Sequence, residues 1–142
     1  MGAGARAAGE PMASELILIV EDNEKNRKLA RDVLQFHGYR TAEAETGEEG
    51  LQLAFETPPD LVLMDIQLPG MDGIQALTRL RADARTRAIR VIAVTASAMT
   101  QDRQKIMAAG FDAYQSKPIN VKLLVETVRE TLARGPRPAA EP

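Results

Sequence analysis

Two kinds of hydrophobic pattern alternate along the chain, and the alternation occurs five times. Residues 16–20, 60–65 and 91–95 contain continuous apolar runs, which are typical of strands that a parallel sheet buries on both faces. Residues 39–46 and 113–116 mix polar with apolar positions, and this mixture indicates half-exposed strands at the edges of a sheet. The sequence therefore predicts five strands, of which the second and the fifth lie at the edges.

Each predicted strand is followed by a segment with the spacing of an amphipathic helix. Asn23 or Asp22 can cap the first helix, and Gly38 and Gly110 are helix stops. The later helices are predicted over residues 47–55, 73–82, 100–109 and 120–134. The residues expected to face the core are Leu29, Ala30, Val33 and Leu34 in the first helix, Ile74, Leu77 and Leu80 in the third, and Val121, Leu124, Val128 and Leu132 in the last.

Five strand–helix units imply a parallel sheet with helices on both faces, an α/β fold. Buried first, third and fourth strands between two edge strands correspond to the doubly wound order 2-1-3-4-5. With 142 residues, the chain is long enough for one domain with a sizeable core. We place this domain at residues 15–135, between tails over residues 1–14 and 136–142 that are predicted to be flexible.

Composition narrows the range of functions. The formal net charge of −2 gives no reason to expect a nucleic-acid partner. The chain contains no cysteine, which excludes disulfides, thiol nucleophiles and zinc–thiolate sites. Because the sequence has no apolar run long enough to span a membrane and no export signal, we expect a cytoplasmic protein without a membrane partner.

Complementary polar groups stand at the carboxyl ends of four predicted strands. The first strand ends at Glu21 and Asp22, the third at Asp65, the fourth at Thr95 and the fifth at Lys117. Open α/β sheets bind their ligands at this edge, where the strand order reverses. The predicted reversal lies between the first and third strands, so the three carboxylates are expected to share one crevice.

Three carboxylates in one crevice need a compensating cation, and oxygen ligands of this kind suit Mg²⁺. The hydroxyl of Thr95 and the ammonium of Lys117 can hold the oxygens of an incoming phosphoryl group, which Asp65 can attack as a nucleophile. Each residue alone has a simpler interpretation, as a helix-capping acid, a β-forming threonine or a solvated lysine. The combination favours phosphoryl transfer.

Four segments together resemble the receiver domain of two-component response regulators, a CheY-like, flavodoxin-like fold, in unbroken order over about residues 16–134. They are LIVEDN at 18–23, LVLMDIQLPGMDG at 61–73, IAVTA at 92–96 and SKP at 116–118. The segments DNEKN at 22–26 and AVTASAM at 93–99 are most similar to the single-domain, DivK-like subgroup.

The resemblance implies that Asp65 is the phosphoacceptor and that its donor is a histidine kinase or a histidine phosphotransfer protein. It implies that Thr95 and Lys117 contact the phosphoryl group. The Mg²⁺ ligands implied by the resemblance are Glu21, Asp22, Asp65 and the backbone carbonyl of Gln67. The chain would then be a signalling module rather than an enzyme, with Mg²⁺-dependent phosphorylation and dephosphorylation at Asp65 only.

The resemblance also implies how the signal leaves the domain. Tyr114 corresponds to an aromatic residue that changes rotamer together with the Thr95 position. A protein target would read this change on the face formed by the fourth helix, the fifth strand and the fifth helix. The Lys117–Pro118 bond is expected to be cis, and no DNA-binding output domain is expected because only seven residues follow Gly135.

Other functions share parts of this pattern. A haloacid-dehalogenase-type phosphatase also uses a strand-end Asp, but it needs a second Asp where this chain has Gln67. A flavodoxin-like nucleotide binder needs a phosphate cradle after the first strand, where the acidic residues 21–24 would repel a phosphate. A receiver module whose partners bind it without phosphorylation remains an alternative. His37, the only histidine, follows a helix and is not expected to donate the phosphoryl group.

Overall fold

The computed structural model describes residues 15–96 and 99–138, in which five strands and five helices alternate. The strands are β1 (Leu16–Val20), β2 (Arg40–Ala44), β3 (Leu61–Asp65), β4 (Arg90–Thr95) and β5 (Ala113–Ser116). The helices are α1 (Glu24–Phe36), α2 (Gly47–Glu56), α3 (Gly73–Ala82), α4 (Thr100–Ala109) and α5 (Val121–Ala133). Residues 1–14, which the sequence analysis assigns to a tail, lie outside the described part of the chain.

The strands form one parallel sheet in the order β2-β1-β3-β4-β5, as the sequence predicts. Every residue of β3 and β4 is buried, whereas β2 and β5 lie at the edges and are partly exposed. The continuous apolar runs therefore correspond to central strands, because these strands are covered by helices on both faces. This confirms the doubly wound α/β fold.

Two hydrophobic cores lie on opposite faces of the sheet. Successive side chains of a strand point to opposite faces, so Leu18 and Val20 enter one core while Ile17 and Ile19 enter the other. Buried residues of α2, α3 and α4 complete the first core, and those of α1 and α5 complete the second. The two cores fix the sheet between its helices and hold the strand ends in place.

Four of the helices begin at a side chain that accepts a hydrogen bond from a backbone N–H of the first turn. These caps are Asn23, Thr46, Asp72 and Asn120. Asp72 forms a complete capping box, because the side chain of Gln75 in turn accepts from the Asp72 N–H. Helix α4 ends at Gly110, whose φ of 111° lies in the left-handed region that favours glycine.

Two predicted core positions are exposed. Leu29 lies about 140° around the axis of α1 from the buried Leu34, so it falls outside the buried stripe. Val121 is in the first turn of α5, at the edge where the strands have already ended, and 44% of it is exposed. In α5, Val125 and Thr131 are buried instead. Leu29 is therefore exposed because of its angular position on α1, and Val121 is exposed in the first turn of α5.

Packing continues beyond the predicted boundary at residue 135. The backbone N–H of Arg137 donates to the carbonyl of Ala88, and its guanidinium lies 2.6 Å from Oδ1 of Asp112. The packed part of the chain thus reaches Arg137, two residues into the segment assigned to the C-terminal tail. In the described residues, 15–96 and 99–138, no helix has the length and hydrophobicity to cross a bilayer.

Candidate functional site

Three carboxylates meet where β1 and β3 end. Val20 pairs with Met64 in the sheet, so the residues that follow them, Glu21 and Asp65, leave adjacent strands side by side. Glu21, Asp22 and Asp65 each offer one oxygen, and these oxygens lie within 4.8 Å of one another. Glu21 and Asp65 are buried, whereas Asp22 is exposed, so the cluster is open to solvent on one side. The structure thus brings together the three acids that the sequence analysis groups in one crevice.

Lys117 is the cation of this cluster. Its Nζ lies 2.8 Å from Oδ2 of Asp65 and 3.1 Å from Oε1 of Glu21. Burial lowers the pKa of Lys117, but the hydrogen bonds to Asp65 and Glu21 outweigh burial, and the net pKa is raised. Lys117 therefore carries its charge throughout the physiological pH range. Its backbone N–H donates to the carbonyl of Thr95, and its peptide bond to Pro118 is cis.

One ammonium does not neutralise three carboxylates. Burial raises the pKa of Glu21, the Asn23 N–H that donates to its Oε2 lowers it, and the charge of Asp65 raises it again. The net shift is upward, as expected for a buried acid next to another acid. A surplus of negative charge on hard oxygen atoms fits a small divalent cation. The donor set is therefore compatible with magnesium.

The loop after β3 holds Asp65 from its other side. The backbone N–H of Gln67 donates to Oδ1 of Asp65 at 2.9 Å, and the side-chain Oε1 of Gln67 accepts from the Ala96 N–H at 3.1 Å. Gly73 allows α3 to begin against this loop, because a Cβ at residue 73 would lie 2.5 Å from the Asp65 carbonyl oxygen. Both carboxylate oxygens of Asp65 are thus hydrogen-bonded and its main chain is closely packed.

Thr95 and Tyr114 lie on the same face of the sheet. Tyr114 pairs with Ala93, two residues before Thr95, and side chains two residues apart share a face. Thr95 is buried, and the half-buried ring of Tyr114 packs against the first core, which α2, α3 and α4 complete. Nη1 of Arg103 in α4 donates a 2.7 Å hydrogen bond to the Tyr114 hydroxyl. This contact connects α4 to β5.

Residues 17–129 match the family described as the response regulator receiver domain. The chain belongs to this family. It is a receiver domain of two-component signal transduction, and the parallel sheet and the acidic cluster at its edge agree with that membership.

Known receiver domains resemble the chain in sequence and in structure. The polar-differentiation response regulator DivK of Brucella ovis is 48% identical over 116 residues, which cover 82% of this chain and 94% of DivK. A CheY-like receiver domain protein from Methanospirillum hungatei JF-1 is 32% identical with a TM-score of 0.78, covering 85% of this chain and 95% of that one. The receiver domain of the sensor histidine kinase PA1611 from Pseudomonas aeruginosa PAO1, solved with a magnesium ion coordinated in its active-site cleft, is 32% identical with a TM-score of 0.78, covering 84% and 98%.

His37 lies far from the acidic cluster of this receiver domain. It caps the carboxyl end of α1 and contacts Phe36 edge-on, whereas the cluster borders the amino end of the same helix. A helix of 13 residues is about 20 Å long. The side chain of His37 is thus separated from the acidic cluster by about the length of α1.

Sequence reasoning missed several residues of this region. It assigned no role to Arg27, Gly73 and Arg103, or to the side chain of Gln67. Gly73 carried a usable signal, since a glycine directly after the capping Asp72 suggests a close approach of the backbone. The two arginines carried none, because only the folded arrangement shows which carbonyl or hydroxyl each of them reaches.

Proposed function

We propose that Asp65 accepts a phosphoryl group from a phosphohistidine of a histidine kinase or a phosphotransfer protein. The observation that carries this proposal is the position of Asp65, which is buried at the end of β3 beside two further acids and 2.8 Å from the Lys117 ammonium. A nucleophile toward phosphorus needs this combination of fixed position and charge neutralisation. The membership in the receiver family supports the same assignment.

The metal in this proposal is Mg²⁺, and its ligands are Glu21, Asp22, Asp65 and the backbone carbonyl of Gln67. The clustered oxygens of the three acids support the assignment. When bound, magnesium would neutralise negative charge on the acids and on the phosphoryl oxygens. The magnesium ion reported for the PA1611 receiver domain, which is similar to this chain, is consistent with that choice.

The transfer step uses residues of this chain in defined roles. A carboxylate oxygen of Asp65 attacks the phosphorus atom, the new P–O bond forms, and the P–N bond to the histidine of the donor breaks with the electron pair leaving on the imidazole. Lys117 and the hydroxyl of Thr95 hold phosphoryl oxygens as the charge on them shifts. Hydrolysis of the acyl phosphate by water returns the Asp65 carboxylate and inorganic phosphate.

The output in this proposal is a conformational switch. New acceptor oxygens at Asp65 draw the hydroxyl of Thr95 toward them, and the Tyr114 ring turns into the space that Thr95 leaves. The face formed by α4, β5 and α5 then differs between the two states and is read by a protein partner. The shared face of Thr95 and Tyr114 in the sheet supports this route.

Mass spectrometry after incubation with acetyl phosphate and Mg²⁺ tests the acceptor. The wild type should gain one phosphoryl group, and Asp65→Asn should gain none. The control is Asp60→Asn, which changes an acid directly before the amino end of the same strand, where Asp60 accepts from the Leu16 N–H. Equal labelling of the wild type and Asp65→Asn would refute the assignment. Asp22→Ala should weaken magnesium binding without removing the nucleophile.

A further inference from the structure

Arg27 reaches the acidic cluster from the first turns of α1, although it has no role in the transfer step. Its Nη1 donates a 3.0 Å hydrogen bond to the backbone carbonyl of Glu21. Its Nε donates to Oε1 of Glu43 on β2 at 3.2 Å, and its side chain is only 13% exposed. This guanidinium therefore connects the edge strand β2 to the main chain of the acidic cluster.

The carbonyl of Glu21 belongs to the peptide unit that joins Glu21 to Asp22. The chain fixes the surroundings of this peptide in three other places: the Glu21 N–H donates to Ala44, the Asn23 N–H donates to the Glu21 carboxylate, and the Arg27 N–H donates to the Asn23 carbonyl. The hydrogen bond from the Arg27 side chain holds the peptide unit itself. The orientation of this peptide unit influences the directions in which the side chains of Glu21 and Asp22 point.

The guanidinium of Arg27 is itself held in place. Glu43 accepts from Arg27 through Oε1 and from Arg31 through Oε2, at 3.2 and 3.3 Å. The planar guanidinium can donate to two partners in fixed directions at the same time, which a lysine ammonium does less well. A second arginine, Arg31, thus shares the carboxylate partner of Arg27 but has no hydrogen bond to Glu21.

We propose that Arg27 is a positioning residue that holds the Glu21–Asp22 peptide in the orientation needed to bind a divalent cation. The inference rests on the metal site proposed above. Without a cation, the carboxylates of Glu21, Asp22 and Asp65 repel one another and favour a looser arrangement. The hydrogen bond from Arg27 to the Glu21 carbonyl opposes this loosening. Residues that hydrogen-bond to metal ligands without binding the metal themselves commonly tune metal affinity.

The test compares Arg27→Met with Arg31→Met. Both variants keep an apolar stem, remove one guanidinium and deprive Glu43 of one partner, but only Arg27→Met loses the contact with Glu21. Isothermal titration calorimetry with MgCl₂ should show affinity about tenfold weaker for Arg27→Met and nearly unchanged for Arg31→Met. Arg27→Lys should recover only part of the loss. Equal affinities for both methionine variants, or full recovery by lysine, would overturn positioning by Arg27.

A second measurement needs no metal. In ¹H–¹⁵N NMR spectra of the metal-free protein, the amide signals of Asp22 and Asn23 should shift and exchange faster with solvent in Arg27→Met than in Arg31→Met. If the wild type bound no magnesium, the proposed metal site would fail, and these amide signals alone would decide whether Arg27 holds the peptide. Unchanged Asp22 and Asn23 amides in Arg27→Met would overturn the inference even if the wild type binds magnesium.

Discussion

Nζ of Lys117 lies 2.8 Å from Oδ2 of Asp65, although the two residues are 52 positions apart in the sequence. The contact crosses from the end of β5 to the end of β3, over the intervening strand β4. In the absence of a metal ion, this ammonium is the group that opposes repulsion among the three acids. The same ammonium is positioned to hold an oxygen of a phosphoryl group on Asp65.

Replacing Lys117 with methionine should therefore destabilise the metal-free fold. We expect the free energy of unfolding to fall by about 1–3 kcal/mol, because the acids lose a partly buried cation. Urea unfolding with and without Mg²⁺ measures this effect, and magnesium should stabilise the variant more than the wild type. The control is Lys28→Met, which breaks an exposed pair with Asp32 and should change stability by less than about 0.5 kcal/mol. Equal stability of Lys117→Met and the wild type would contradict the assigned role.

Glu21 should make the metal-free fold less stable as the pH rises. Burial raises its pKa above the usual 4.5, so the folded state binds this proton more tightly than the unfolded state does. The resulting stabilisation is complete below the unfolded pKa and is lost as the pH rises through the folded pKa. Glu21→Gln should consequently be more stable than the wild type at pH 7 without magnesium, and the difference should disappear near pH 4. Thermal unfolding across this range measures it, and a difference that grows as the pH falls would disprove the argument.

The sequence was sufficient to predict the strand order and the position of the acidic cluster, because both depend on local patterns. A strand that is apolar at every position must be covered on both faces, and parallel strands bring their carboxyl ends to one edge, so the neighbourhood of Asp65 follows from its place in the chain. Partners of long polar side chains do not follow in this way. Nothing local distinguishes Arg27 from Arg31, yet only Arg27 donates to the Glu21 carbonyl.

The partners of Asp112, at the other end of the sheet, likewise do not follow from the local sequence. Its carboxylate accepts from Arg81, Arg90 and Arg137 at 3.3, 3.0 and 2.6 Å, and from the Val91 N–H at 2.8 Å. The side chain of Asp112 is only 1% exposed. The pKa of Arg81 is lowered to about 10, chiefly by burial and also by the charges of Arg137 and Arg90, although Asp112 raises it. One carboxylate thus holds together three guanidinium groups that would otherwise repel one another.

Asp112→Asn should for this reason be strongly destabilising. We expect a loss of about 3–5 kcal/mol in the free energy of unfolding, the range for breaking a buried ion pair. Asp112 precedes β5, at the opposite edge from the ends of β1 and β3, so labelling of the folded variant by acetyl phosphate should keep the wild-type rate. Urea unfolding and a labelling time course measure the two effects. Normal stability of Asp112→Asn, or slow labelling of its folded state, would contradict this separation.

The contact between Arg103 and Tyr114 places a restraint on the proposed switch. The hydroxyl of Tyr114 accepts from Nη1 of Arg103, and the guanidinium lies 5.8 Å from the centre of the ring. If Tyr114 turns inward after phosphorylation, this hydrogen bond must break. Tyr114→Phe removes the hydrogen bond but keeps the ring, so it should favour the inward position. In the observed position, the ring packs against the core on that face of the sheet.

Beryllofluoride, which mimics the phosphoryl group on an aspartate, provides the measurement. With beryllofluoride and Mg²⁺, the ¹H–¹⁵N NMR signals of Tyr114 and of residues 100–110 should shift in the wild type, as well as those around Asp65. Thr95→Ala should still accept phosphate from acetyl phosphate, more slowly, but its changes should stay near Asp65, because it lacks the hydroxyl that the added oxygens attract. Tyr114→Phe should already be displaced toward the shifted positions before beryllofluoride is added, since a ligand moves a two-state equilibrium only by its difference in affinity for the two states. Changes confined to the surroundings of Asp65 in the wild type, with α4 and Tyr114 unmoved, would show that this protein signals by another route.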